Sequence, residues 1–153
     1  MPARITVSAV CVYSPEGRLL TVRKRGTDRF MHPGGKPEPG ESAAEAASRE
    51  LSEEVGIDVP AEDLVLLGAW IALAANEAAT DIEATVFTAP GKHNPSEVHP
   101  AAEIEELRWI DPGAEPSADL APLLTDHVLP LLVRQGNDPS TQGHDPSPWG
   151  PRG

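Results

Sequence analysis

The sequence predicts one α/β domain, and three patterns carry that prediction. Apolar side chains alternate from Ile5 to Tyr13, a capped amphipathic stretch runs from Ser42 to Gly56, and two further apolar runs follow at Leu64–Ala75 and Ile82–Thr88. With 153 residues the chain is long enough to bury a core without disulfides or a structural metal. The domain is expected to span 1–135. Residues 136–153 carry four Pro, four Gly and a single large apolar side chain, Trp149, a composition that reads as a flexible tail.

In chain order, Ile5, Val7, Ala9, Cys11 and Tyr13 keep period 2 and Ser14–Gly17 is turn chemistry. Leu19–Val22 then resumes an extended pattern, so a hairpin is expected. It leads into a basic loop, Arg23–Arg29, and then a Gly- and Pro-rich segment, His32–Gly40, that neither a helix nor a central strand tolerates. Ser42 and Glu45 form a capping-box pattern, Ala44, Ala47, Leu51 and Val55 share one helical stripe, and Gly56 is placed to end the helix in a left-handed cap. Leu107–Ile110 reads as a last strand. Leu120–Arg134 reads as a closing helix that Pro130 should kink or split.

Composition excludes several classes. The longest apolar run, Leu64–Ala75, is well short of the roughly 18 residues of a membrane-spanning helix, and the N-terminal segment reads as a strand and not as a secretory leader. A single cysteine, Cys11, suits a reducing cytoplasm. The net charge of −12 argues against nucleic-acid and anionic-membrane partners. Its distribution is uneven: residues 1–36 hold seven bases and two acids, a local +5, so the remainder carries −17. Such a division suggests a site where cations and anions meet.

The segment from Gly35 to Ile57 joins these observations to chemistry. Gly35, Glu41, Arg49, Glu50, Leu51, Glu53, Glu54, Gly56 and Ile57 read G-x5-E-x7-R-E-aliphatic-x-E-E-x-G-aliphatic. At ordinary residue frequencies a given start would match by chance about once in 10⁹. With Leu51 at zero on a helical wheel, Glu50 falls near −100°, Glu54 near −60° and Glu53 near −160°, so three carboxylates share a face. Like charges at i, i+3 and i, i+4 destabilise a helix by roughly 0.2–0.5 kcal/mol per pair unless a cation neutralises them. A hard divalent ion such as Mg²⁺, which takes carboxylate and phosphate oxygens together, is the natural neutraliser. Arg49 stands four residues before Glu53 and four after Glu45, a spacing that lets it orient the Glu53 carboxylate. Lys36 can meet a phosphate as a point charge, and Arg23 or Arg25 is the candidate phosphate contact in the basic loop.

This segment resembles the Nudix box of the Nudix hydrolases, with all nine defining positions matched. The resemblance implies the Nudix fold, an α/β/α sandwich around a mixed sheet, and Mg²⁺-dependent hydrolysis, with Mn²⁺ as a substitute, of a nucleoside diphosphate linked to another moiety. It implies a metal site at Glu50, Glu53, Glu54 and the Gly34 carbonyl, with Glu53 as general base positioned by Arg49. A further acid is expected outside the box. Glu97, Glu103, Glu105 and Glu106 are the candidates, with Glu103 preferred because it ends the loop before the strand containing Trp109. His32, directly before Pro33–Gly34–Gly35, either packs or stacks on a base. Subfamily marks for reduced dinucleotides, ADP-ribose, dinucleoside polyphosphates and coenzyme A are absent: Ala72 and Leu73 hold the relevant positions and Tyr13 is the sole tyrosine. That leaves a compact MutT-like nucleoside triphosphate pyrophosphatase, monomeric or homodimeric, that cleans the nucleotide pool. A nucleotide sensor that does not hydrolyse, or a hydrolase of nucleotide sugars, is the alternative.

Overall fold

A computed structural model of the chain describes residues 3–75 and 79–135. The expected tail at 136–153 lies outside these residues. The main sheet has the order β3-β1-β5-β4, built from β1 (Ala3–Cys11), β3 (Gly34–Gly35), β4 (Val65–Leu73) and β5 (Thr80–Thr88). β1 runs parallel to β5, from Ala3 opposite Thr80 to Cys11 opposite Thr88, while β3–β1 and β4–β5 are antiparallel. A parallel pair requires a long crossover, and here it contains the box helix α1 (Ala43–Val55).

Period 2 in the central strands feeds two cores. Val10, Val12 and Phe87 pack against Leu51 and Val55 of α1, whereas Ala9, Cys11 and Val86 pack against Leu124, Val128 and Leu132 of the C-terminal helical segment. Helices therefore cover both faces of a mixed sheet, the layering the sequence implied. Cys11 is fully buried, which pushes its thiol up to about 12 and leaves it a packing residue.

The expected hairpin forms only at its base. Tyr13 bridges Leu19, and Leu20 N donates to Val12 O (2.9 Å) around a turn in which Gly17 takes φ 83°. Beyond it the two strands part, and β2 (Leu19–Lys24) pairs antiparallel with β6 (Ile104–Ile110) in a separate two-stranded sheet. The sequence hides this because β2 is apolar on both faces: Leu19 joins one core, Leu20 and Val22 the other. β6 begins three residues earlier than its apolar pattern suggested, since Glu105 and Glu106 interrupt it.

α1 has both bonds of the capping box, Glu45 N to Ser42 Oγ (3.1 Å) and Ser42 N to Glu45 Oε1 (2.8 Å), and ends at Gly56 with φ 75°. The C-terminal helix is continuous through Pro130 and changes its winding where the sequence predicted a kink or split. A π-helical segment, Leu123–Val128, runs directly into α2 (Leu129–Arg134), with Leu129 N bonded to Leu124 O, and this wider winding precedes the residue that lacks an N–H.

Candidate active site

The glycine pair of β3 fastens the loop to both the sheet and the box helix. Gly34 lies opposite Ala9 with φ 154°, and a Cβ there would stand 2.9 Å from the Ala9 Cα. A Cβ on Gly35 would strike the Glu50 carboxylate. Only glycine lets β1, the loop and α1 approach this closely.

The helical wheel then orders the three box carboxylates by depth. Glu54, nearest the core stripe, is 3% exposed and accepts from Gly34 N (3.0 Å). Burial pushes its carboxyl up to about 7, with Glu50 and Glu103 adding repulsion and Lys24 opposing it. Glu50 is intermediate, and burial raises it too. Glu53, farthest round, has 54% of its side chain exposed.

Arg49 ties this face together. Its Nε and Nη2 hold Glu41 in a fork (2.8 and 2.9 Å), Nη1 reaches Glu50 (3.1 Å) and Glu53 (3.2 Å), and Nη2 bonds the Lys36 carbonyl (3.1 Å). The fork holds the Glu41 carboxyl down at about 2. Glu45 is committed to the helix cap, as its capping-box spacing indicates. The acid that supports Arg49 is Glu41, eight residues before it, which no helical spacing could indicate because Glu41 precedes the helix.

Glu50, Glu103, Lys24, Lys36, Gly34 and Gly35 line a cleft of about 560 Å³ together with the apolar Val7, Ile82, Leu73, Ala74 and Leu123. That is the size and polarity of a small-molecule site. His32 is also in the wall, 4% exposed, with burial lowering its ring to about 4.

The basic loop is arranged differently from the expectation. Arg23 bonds Glu106 (3.2 Å) directly across the β2–β6 pair, and Arg25 pairs with Glu105 (3.6 Å) and reaches Ala102 O (3.3 Å). Neither lines the cleft. The cation that does is Lys24, which the sequence reading passed over although it follows Leu20 and Val22 at period 2. The same ion pairs separate Glu103 from Glu105 and Glu106: of these acids, Glu103 lines the cleft. His93 Nε2 donates to Pro90 O (3.2 Å), a local contact within its own loop.

Among the described residues no three His, Cys, Asp or Glu side chains are gathered tightly enough to hold an ion as they stand. The donor chemistry nonetheless fits a hard divalent cation. Glu50 and Glu103 line the cleft and Glu54, buried behind them, feels the charge of both, so three oxygen donors stand near one another, and burial has raised two of them, the state in which a carboxylate gains most from a cation.

Glu54 yields a test that needs no substrate. A carboxyl raised in the folded state favours folding below its unfolded value and loses that contribution as pH rises through about 7. His32, held low, works in the opposite sense between pH 4 and 6.5, so the difference between variants is the useful quantity. In EDTA, Glu54→Gln is expected to exceed wild type in unfolding free energy at pH 8 by up to about 3 kcal/mol, and the gap to close toward pH 4.5. Denaturant melts at both pH values check this, and a gap independent of pH would remove the raised carboxyl.

The NUDIX domain family model matches residues 2–132. Phosphatase NudJ from Escherichia coli (strain K12) is 37% identical over 68 residues, covering 43% of this chain and 44% of that protein, so the match spans less than half of either. The MutT protein from Methanosarcina mazei Go1 shares the fold at TM-score 0.61 and 24% identity, over 74% of this chain and 84% of that one. The Escherichia coli dihydroneopterin triphosphate pyrophosphohydrolase aligns at TM-score 0.50 and 26% identity, over 70% of this chain and 80% of that one. With the family model covering nearly all of the described residues, and the box helix set against a mixed sheet, the chain belongs to the Nudix hydrolase family.

Proposed function

We propose that the protein hydrolyses a nucleoside triphosphate to the monophosphate and pyrophosphate, in the manner of MutT, with Mg²⁺ or in its place Mn²⁺. The observation that carries this reading is one cleft lined both by Glu50, Glu103, Lys24 and Lys36 and by a set of aliphatic side chains. A triphosphate suits the charged lining and a nucleoside the apolar lining. Mg²⁺ would be held by Glu50, Glu53, Glu54, Glu103 and the Gly34 carbonyl, and it supplies charge neutralisation and Lewis acidity at the phosphoryl oxygens. Glu53 would have to leave Arg49 to join that set.

In this reading water attacks one of the two phosphorus atoms of the α–β anhydride, the bridging P–O bond at that phosphorus breaks, and its electron pair leaves on the bridging oxygen with the other product. Glu50 takes the water proton. It lines the cleft, Arg49 orients it, and burial raises its carboxyl toward the working pH, three properties of a general base that the exposed Glu53 does not combine. Lys24 and Lys36 hold the phosphates.

A panel of nucleoside triphosphates, nucleotide sugars and dinucleotides with Mg²⁺, Mn²⁺ or EDTA tests the proposal. Pyrophosphate release from a triphosphate, abolished by EDTA, is expected. The likeness to a protein named a phosphatase supports a second reading, release of orthophosphate, and product analysis separates the two. Binding without turnover in every metal would leave a nucleotide sensor.

A further inference from the structure

The wall of the cleft contains a polar atom for which the phosphate chemistry has no use. His32 Nε2 is buried and has no hydrogen-bond partner among the described residues. Leaving a buried polar atom unpaired is destabilising, and folded proteins seldom retain one without a reason. The other uncharged polar side chains in the described wall are engaged: Ser8 Oγ donates to Ala43 O and Thr27 Oγ1 to Lys24 O, both at 2.8 Å. The charged members suit phosphate and cation, and the remainder is aliphatic or glycine. His32 is also the one ring among the described lining residues.

We propose that His32 is a specificity-determining residue, its Nε2 forming a hydrogen bond with the nucleobase of the substrate in the cleft. The inference rests on the nucleotide reading above and deepens it. Nε2 is enclosed in the unliganded cleft although His32 lines it, so the proposal requires the ring to turn and present Nε2 to the cleft, where the base supplies the missing partner. A buried polar atom that waits for a ligand group discriminates strongly, because a ligand without the matching group leaves it unpaired. Position 32 thus trades stability of the free protein for selectivity.

Full-length wild type, His32→Leu and His32→Gln are compared by kcat and KM on nucleoside triphosphates and on a base-free ribose 5-triphosphate, by calorimetric affinity for nucleoside 5′-monophosphates, and by melting temperature. His32→Leu is expected to lose at least tenfold in kcat/KM on the preferred nucleotide, mainly through KM, and to bind its monophosphate correspondingly less. The base-free substrate should be unaffected, the melting temperature equal or higher, and His32→Gln should restore part of the loss. Equal loss on both substrates, or unchanged preference and affinity in His32→Leu, overturns the proposal. If wild type turns over no nucleotide, the functional reading fails, and calorimetry still decides this one: monophosphate affinity that is absent in wild type or insensitive to His32→Leu rejects it.

Discussion

Glu50→Gln and Glu54→Gln are each expected to lower kcat by about 10²- to 10³-fold, the scale on which a charge that acts in the transition state contributes. The two losses should differ in kind. Glu54, buried against the Gly34 amide, is proposed to hold the cation, and raising Mg²⁺ should then recover part of the activity. Glu50 lines the cleft and is assigned the water proton, so excess Mg²⁺ should recover little, and the acidic limb of the pH–rate profile should disappear with it. Glu53→Gln tests the assignment drawn from sequence. As a ligand, it gives a loss that Mg²⁺ relieves; as the base, it gives the Glu50 pattern and Glu50→Gln does not. Steady-state kinetics at several Mg²⁺ concentrations and pH values distinguish these outcomes. Folding is not expected to confuse them, since Gln can still accept from the Gly34 amide and Glu53 is exposed.

The box helix was legible almost completely because its information is local. Cap, stripe and stop lie within Ser42–Gly56, and 100° per residue orders Glu54, Glu50 and Glu53 by depth before any coordinates are known. The pairings that complete the site are not local. Arg49 meets Glu41 in the loop before the helix, and Gly34 faces Ala9 across the sheet. β2 joins β6 across 80 to 91 residues of chain, from Lys24 with Ile104 to Leu19 with Ile110, and no pattern in either strand announces the partner. The basic loop shows the cost of reading charge without faces. It is the densest part of the local +5 of residues 1–36, but alternation along β2 sends Arg23 to Glu106 and Lys24 to the cleft, and an inventory of cations cannot distinguish them. His32 was visible as an oddity before Pro33, yet its burial and unpaired Nε2 depend on the walls around it.

That division among cations gives the second large effect. In the proposed reaction a triphosphate would bring several negative charges beside Glu50 and Glu103, and Lys24 already interacts favourably with both Glu50 and Glu54. Lys24→Ala and Lys36→Ala should each weaken kcat/KM by about 1–3 kcal/mol, the range of charge-assisted hydrogen bonds, or roughly 5- to 150-fold. Arg23→Ala and Arg25→Ala, whose guanidinium groups are taken up by Glu106 and Glu105, should stay within about threefold of wild type, because exposed ion pairs contribute at most about 1 kcal/mol. Ionic strength supplies an independent check. Salt should blunt substrate capture by wild type and by the two arginine variants alike, and blunt it less in the lysine variants, whose contribution to the field is already gone. The reverse ranking, with Arg25→Ala impaired and Lys24→Ala unaffected, would mean that the loop turns over when substrate binds and that Arg25 leaves Glu105 to meet phosphate.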